Sequence, residues 1–183
     1  MDTATILARL EKFEGRIRHM YVCTGGEVTI GIGHAIPDAD SAVALTWTLD
    51  GRAATPDEIR ADYGRVAAAP KGLAATGYAS LSRCRMGDPA IDALASADVV
   101  RFAGGVAAVL ANWDRYPTAV QAALFDMAFN LGIGGLQKFR KLIAACDTGD
   151  WEAAARECHR QGIGESRNLE TAALFRQALI KET

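Results

Sequence analysis

Apolar residues fall at helical spacing near the start of the chain, where Ile6, Leu7, Leu10 and Phe13 recur and Gly15 supplies a stop. The spacing predicts a short amphipathic helix over residues 3–14. Two β-prone runs follow, Met20-Tyr21-Val22-Cys23 and Val28-Thr29-Ile30, separated by Thr24-Gly25-Gly26-Glu27. Glycines in that position accept the positive φ of a tight turn, so a hairpin is expected. Gly31 and Gly33 are expected to break the second strand before His34 and Pro37. The stretch from 38 to 95 is the least regular. In it, Thr55-Pro56-Asp57-Glu58 has the form of a helix start with a capping box, and Asp88-Pro89 is a second start. Pro70, Gly72 and Gly77 mark loops between them.

An Ala/Val-rich helix from about 97 to 111 is expected to connect two lobes. Beyond it the pattern is helical throughout. Thr118-Ala119-Val120-Gln121 has the form of another capping box and opens the most apolar run, Ala122 to Phe129. A helix apolar on nearly all faces is a buried one, so this is the expected centre of a C-terminal lobe. Leu136, Phe139, Leu142 and Ile143 predict the next helix, Asp147-Thr148-Gly149-Asp150 a turn, Trp151 a further helix start, and residues 168–181 the last helix. No repeat or low-complexity tract interrupts the series.

Composition narrows the picture. Half of the 183 residues are hydrophobic and 23% are charged, which suits one folded domain of two small lobes rather than a disordered chain. The net charge of −2, with both signs mixed along the length, lacks the basic stripe that a nucleic-acid partner requires. No run approaches the roughly 20 apolar residues that span a bilayer, so no membrane insertion is expected. The opening residues lack the basic start, apolar stretch and cleavage site of a secretory signal, which predicts synthesis in the cytoplasm. Cys23, Cys84, Cys146 and Cys158 form no C-x-x-C pair, so reduced thiols are expected and a structural zinc site is not. Pairing of Cys146 with Cys158 stays open, for a protein working outside the cytoplasm.

The candidate chemistry lies between positions 14 and 34. Hydrolysis of a glycosidic bond needs a protonated carboxylic acid beside the scissile oxygen and a second group acting on water from the opposite face of the sugar. Glu14 falls at the C-terminal end of the first helix, where unpaired carbonyls disfavour a carboxylate, and a general acid must keep its proton near neutrality. Cys23 ends the first strand of the hairpin and Thr29 lies in the second, near enough for all three to face one cleft. Taken singly, a Glu at a helix end is surface decoration and a Cys on a strand is core packing.

Their combination is more specific. Glu14-x8-Cys23-x5-Thr29, with Glu14-Gly15, Tyr21 and the close Thr29-Ile30-Gly31-Ile32-Gly33-His34, resembles the active-site region of the phage-type lysozymes, glycoside hydrolase family 24. That resemblance implies an α+β lysozyme-like fold, with a small N-lobe carrying the hairpin and a mostly helical C-lobe. It makes Glu14 the general acid and Cys23 and Thr29 the pair that positions or activates water, with Gly31 and His34 on the substrate side of the motif. Gln121 to Gly132 is similar to the family's buried C-lobe helix, which puts Asn130 at a cleft-facing polar position. Glu165-Ser166-Arg167-Asn168-Leu169 resembles the family's closing stretch and makes Arg167 the partner of the catalytic Glu. Asp98-Val99 resembles the pair that opens the family's connector, where Asp98 would meet His34.

The implied activity is hydrolysis of the β-1,4 bond between N-acetylmuramic acid and N-acetylglucosamine, with inversion favoured. The alternative is a catalytically weak or inactive wall-binding module. The implied partner is the peptidoglycan glycan strand, acted on in the wall after release or delivery by a monomeric protein that needs no cofactor. An immunity or inhibitor protein would join it if the chain is an effector. The segment 38–95 departs from the compact family pattern.

Other readings compete for single residues. His34 could serve Cys23 as base in a thiol protease, but a structural histidine satisfied by a carboxylate is favoured, since no orienting residue is evident. His19, His34 and His159 lack the i, i+4 spacing of a metal pair. Gly31-x-Gly33 is turn chemistry rather than a dinucleotide loop. Lys138, Arg140 and Lys141 are read as a solvated helix face with, at most, a minor role toward an anionic wall. Trp47, Trp113 and Trp151 are read as core before sugar platforms.

Overall fold

The computed structural model describes residues 3–180. They divide into two compact units, the first running from Leu7 to Asp98 and the second holding the described residues before and after it. A three-stranded antiparallel sheet in one unit and helices elsewhere give the expected α+β fold.

Helix α1 spans Thr3–Glu14 and stops where Gly15 takes φ +74, as the spacing predicts. Strands β1 (Ile17–Val22) and β2 (Val28–Gly31) form the predicted hairpin. A third strand, β3 (His34–Ile36), was not expected from the sequence. Gly31 and Gly33, at φ +67 and +76, do not end the sheet but reverse the chain so that Ile30 pairs with His34. Glycine is needed at Gly31 for a second reason, because a β-carbon there would lie 3.3 Å from Ile91.

The following segment is more ordered than its sequence suggests. Helix α2 (Ala39–Val43) is capped by Asp38, which accepts from the Ser41 amide at 2.7 Å. Strands β4 (Thr48–Leu49) and β5 (Arg52–Ala53) turn through Asp50-Gly51, both at positive φ, as a two-residue hairpin loop requires. Helix α3 (Pro56–Ala67) carries the predicted capping box, with Thr55 and Glu58 bonded reciprocally. Asp62 on α3 is fully buried and ties down the loop that follows. It accepts from Ser82 Oγ (2.8 Å) and from the amides of Arg83 (2.7 Å) and Cys84 (3.0 Å), and pairs with Arg65.

The expected connector at 97–111 is corrected at its start. Helix α4 runs unbroken from Asp88 to Val109, so Asp88-Pro89 opens this helix rather than a separate one. The alanine-rich stretch between has strong helix formers and no breaker before Gly104. Gly104 and Gly105 do not interrupt it, and Ile133 would approach a β-carbon at Gly105 to 3.2 Å.

In the second unit the predicted central helix is α5 (Thr118–Leu131), with Val120, Ala123, Leu124, Met127 and Ala128 inaccessible to water. The capping box expected at Thr118 does not form. Pro117 holds the cap position without a side-chain bond, and Gln121 donates instead to the Trp113 carbonyl at 2.8 Å, which the preceding 3-10 turn brings within reach. The single helix expected around Leu136–Ile143 is two, α6 (Ile133–Leu136) and α7 (Arg140–Thr148), because Phe139 leaves helical geometry at ψ 58. Gly149, in the left-handed region, and Asp150, capping Ala153, make the predicted turn into α8 (Trp151–Glu157). Helix α9 covers Glu165–Ile180, three residues longer at its start than expected; position 181 lies outside the described residues.

The three tryptophans are all core residues, which removes them as sugar platforms. All four cysteines are free, so the open pairing of Cys146 with Cys158 is not formed. Burial pushes the Cys146 thiol up to about 12 and the Cys84 thiol up to about 11.

Candidate active site

Glu14 is the last residue of α1 and is half-buried. Its position follows from the Gly15 stop: the Gly15 amide still bonds back to Glu11 at 2.9 Å, and the chain then leaves into β1. The hairpin supplies three more groups. Tyr21 and Thr29 are direct cross-strand partners, so their side chains share a face. Cys23 follows Tyr21 by two residues and extends the ladder by one rung, with its amide 2.9 Å from the Glu27 carbonyl. The period of two therefore returns its side chain to the face of Tyr21.

Electrostatics tie Glu14 to that face. Burial pushes the Tyr21 phenol above its ordinary range, and the negative charges of Glu14 and Cys23 push it further in the same direction. Both groups therefore lie close enough to the phenol to be felt by it. Tyr21 stays a neutral hydroxyl beside them. Thr29 is buried, and its hydroxyl donates to the Glu27 carbonyl at 3.1 Å. That bond fixes the proton and turns the oxygen's lone pairs away from it, so Thr29 can accept from a water or a substrate hydroxyl.

Gly31 and His34 lie further along the same sheet. Gly31 is buried against Ile91, which gives it a packing role. His34 Nδ1 is 2.7 Å from Asp98 Oδ2, the pairing expected from the Asp98-Val99 resemblance. The thiol-protease reading fails on this geometry. His34 pairs with Ile30 while Cys23 sits on the Glu27 rung, three residues or roughly 10 Å along β2.

Asn130 and Arg167 belong to the second unit. Asn130 is half-buried in the last turn of α5, and its amide oxygen is shielded from water with no hydrogen-bond partner among the described residues. Arg167 is buried and bonds Asp126 through Nε (3.2 Å) and Nη2 (3.0 Å). Arg160, also fully buried, reaches the other oxygen of Asp126 at 2.9 Å.

The structure thus gathers Glu14, Cys23 and Thr29 around Tyr21 in one unit and ties Arg167 to Asp126 in the other. Two of these residues, Tyr21 and Asp126, were given no role by the sequence reading, although Tyr21 stood in the motif. Tyr21 was detectable from its i, i+2 relation to Cys23. Asp126 was signalled only as the one carboxylate in an otherwise apolar helix, a position that demands cationic partners. Among the described residues no group of three or more His, Cys, Asp or Glu side chains could hold a metal ion, and no helix is long and apolar enough to cross a membrane.

An acid and a thiol that both act on one neutral phenol, with a hydroxyl across the ladder from it, can protonate a leaving oxygen and orient a water. A family model described as phage lysozyme matches residues 11–176, a span that takes in the hairpin, the irregular segment and the helical unit. No curated protein matches the chain. On the strength of that match the chain belongs to the phage lysozyme family, and with it to the peptidoglycan hydrolases.

Proposed function

We propose that the protein is a muramidase that cleaves the β-1,4 bond between N-acetylmuramic acid and N-acetylglucosamine. Glu14 donates its proton to the departing oxygen, and Cys23 with Thr29 holds and activates the attacking water. The observation that carries this reading is the common neighbourhood of Glu14 and Cys23 around the Tyr21 phenol, with Thr29 directly across the ladder. Tyr21 contributes as a neutral donor that does not compete for the proton on Glu14. Thr29 accepts from the water, and Cys23 takes the position in which a carboxylate or thiol can draw its proton.

The test is loss of turbidity in purified peptidoglycan. Wild type clears the suspension and Glu14→Gln does not, while both keep the same thermal midpoint. Reducing-end analysis of the released fragments identifies the bond: N-acetylmuramic acid ends support the reading, and N-acetylglucosamine ends refute it.

A second reading has one observation in its favour. The position assigned to activating water is held by a half-buried thiol, Cys23, rather than a carboxylate, and on this reading the chain acts chiefly by holding the wall. Sedimentation with insoluble peptidoglycan, unaccompanied by clearing, would select it.

A further inference from the structure

The basic residues at 138–141, read from sequence as a solvated helix face, lie around a concavity. Lys138, Arg140 and Lys141 are exposed, and with Phe139, Glu157 and His159 they line a surface cavity of about 440 Å³. It lies wholly within the second unit, and its size falls in the range of about 300–1,000 Å³ found for small-ligand sites. Two successive helices build it, through the residues at the start of α7 and those at the end of α8.

Its charge is unusual for this molecule. Arg16, Arg52, Arg60, Arg83 and Arg176 each meet a carboxylate, and the chain as a whole is at −2. Among the described residues, Lys138, Arg140 and Lys141 form no ion pair. Three cations face the single lining carboxylate of Glu157, which leaves the cavity at +2 before His159 is counted. The His159 ring is engaged from outside by Glu165, with Nε2 3.2 Å from Oε2. Like charges brought together around a low-dielectric concavity repel one another and focus the potential onto whatever enters.

We propose that this cavity is a binding site for a phosphate group. A phosphate monoester carries about −1.5 to −2 at neutral pH and offers three acceptor oxygens, matching both the +2 and the several N–H donors. A carboxylate brings one charge and leaves a cation without a partner. A nucleic acid needs a stripe of such positions rather than one pocket. Free phosphate, a soluble phosphomonoester and the phosphomonoester headgroup of a lipid such as phosphatidic acid share this chemistry.

The experiment is calorimetric titration of the full chain with inorganic phosphate near neutral pH, alongside acetate. It reads binding and not lysis, so its result stands apart from the muramidase reading. Wild type is expected to bind phosphate and to show no comparable heat with acetate. The triple substitution K138Q/R140Q/K141Q is expected to weaken binding by roughly tenfold or more, with its thermal midpoint in phosphate-free buffer unchanged. Arg115→Gln, which removes a cation outside the cavity, is expected to bind as wild type does. Glycerol 3-phosphate and vesicles containing phosphatidic acid then separate the sources: retention on vesicles assigns a lipid headgroup, and binding of the soluble phosphates alone assigns a free phosphate or soluble phosphomonoester. Equal binding by the triple variant, equal heats with acetate, or no binding by wild type overturns the proposal.

Discussion

Two of the buried carboxylates, Asp62 in one unit and Asp126 in the other, are satisfied in opposite ways. Asp62 draws its hydrogen bonds mostly from neutral donors, two backbone amides and a serine, with Arg65 at the edge. Asp126 is held between two buried guanidinium groups, with Thr171 adding a bond at 3.2 Å. The first arrangement fastens a loop that has little apolar material of its own. The second occupies the interior of a helical unit, where each charge is tolerable only because the others are present. The difference teaches that a buried acid can organise backbone in one place and anchor helices α5 and α9 in another.

The comparison can be sharpened by substitution. The largest effect belongs to neither acid but to Glu14, whose replacement by Gln is expected to lower lytic activity by about 10²–10⁴-fold without loss of stability. A fall in thermal midpoint instead would recast Glu14 as structural. Next comes Asp126→Ala, which leaves Arg160 and Arg167 buried without their carboxylate and is expected to cost about 3–5 kcal/mol in urea unfolding. Asp62→Ala is expected to cost less, about 1–3 kcal/mol, because the buried donors it abandons are neutral and the one cation, Arg65, is exposed enough to be solvated. If Asp62→Ala proved the more damaging, the contrast between the two units would be wrong.

Cys23→Ala should lose most of the activity and Cys23→Asp should retain it; full activity in the alanine variant would show that Thr29 and water suffice. In the native protein at mild alkaline pH, one thiol, Cys23, should alkylate quickly. The Cys84 and Cys146 thiols, raised to about 11 and 12 by burial, should react only on unfolding. The smallest effect concerns the cap of α3. Arg52 and the Thr55 amide hold Glu58 down to about 2, from an ordinary 4.5. Because the folded value is the lower one, this contribution is present above about pH 4.5 and is lost as pH falls toward 2. Glu58→Gln should remove that acid-range slope in the unfolding midpoint.

Much of the candidate site was legible because it is local. The Gly15 stop, the Gly25-Gly26 turn and the Glu14, Cys23 and Thr29 spacings each depend on a few neighbouring residues. The capping box at Thr55 was legible for the same reason, yet the identical-looking pattern at Thr118 failed. There a distant carbonyl, that of Trp113, competes for Gln121 and removes the cap. Strand β3 was hidden because three residues between Gly33 and Pro37 carry almost no periodic signal, and only pairing with β2 makes them a strand.

The sequence by itself determined the opening helix, the hairpin, the apolar α5 and the order of the acid, thiol and hydroxyl, since hydrophobic period and turn chemistry act over a few residues. The tertiary structure alone decided that Glu14 and Cys23 both act on the Tyr21 phenol. It also decided that Asp126 is neutralised by arginines 34 and 41 positions away. Such pairings depend on which charges and hydroxyls the packed core leaves side by side, and burial fixes their partners only once the chain has closed around them.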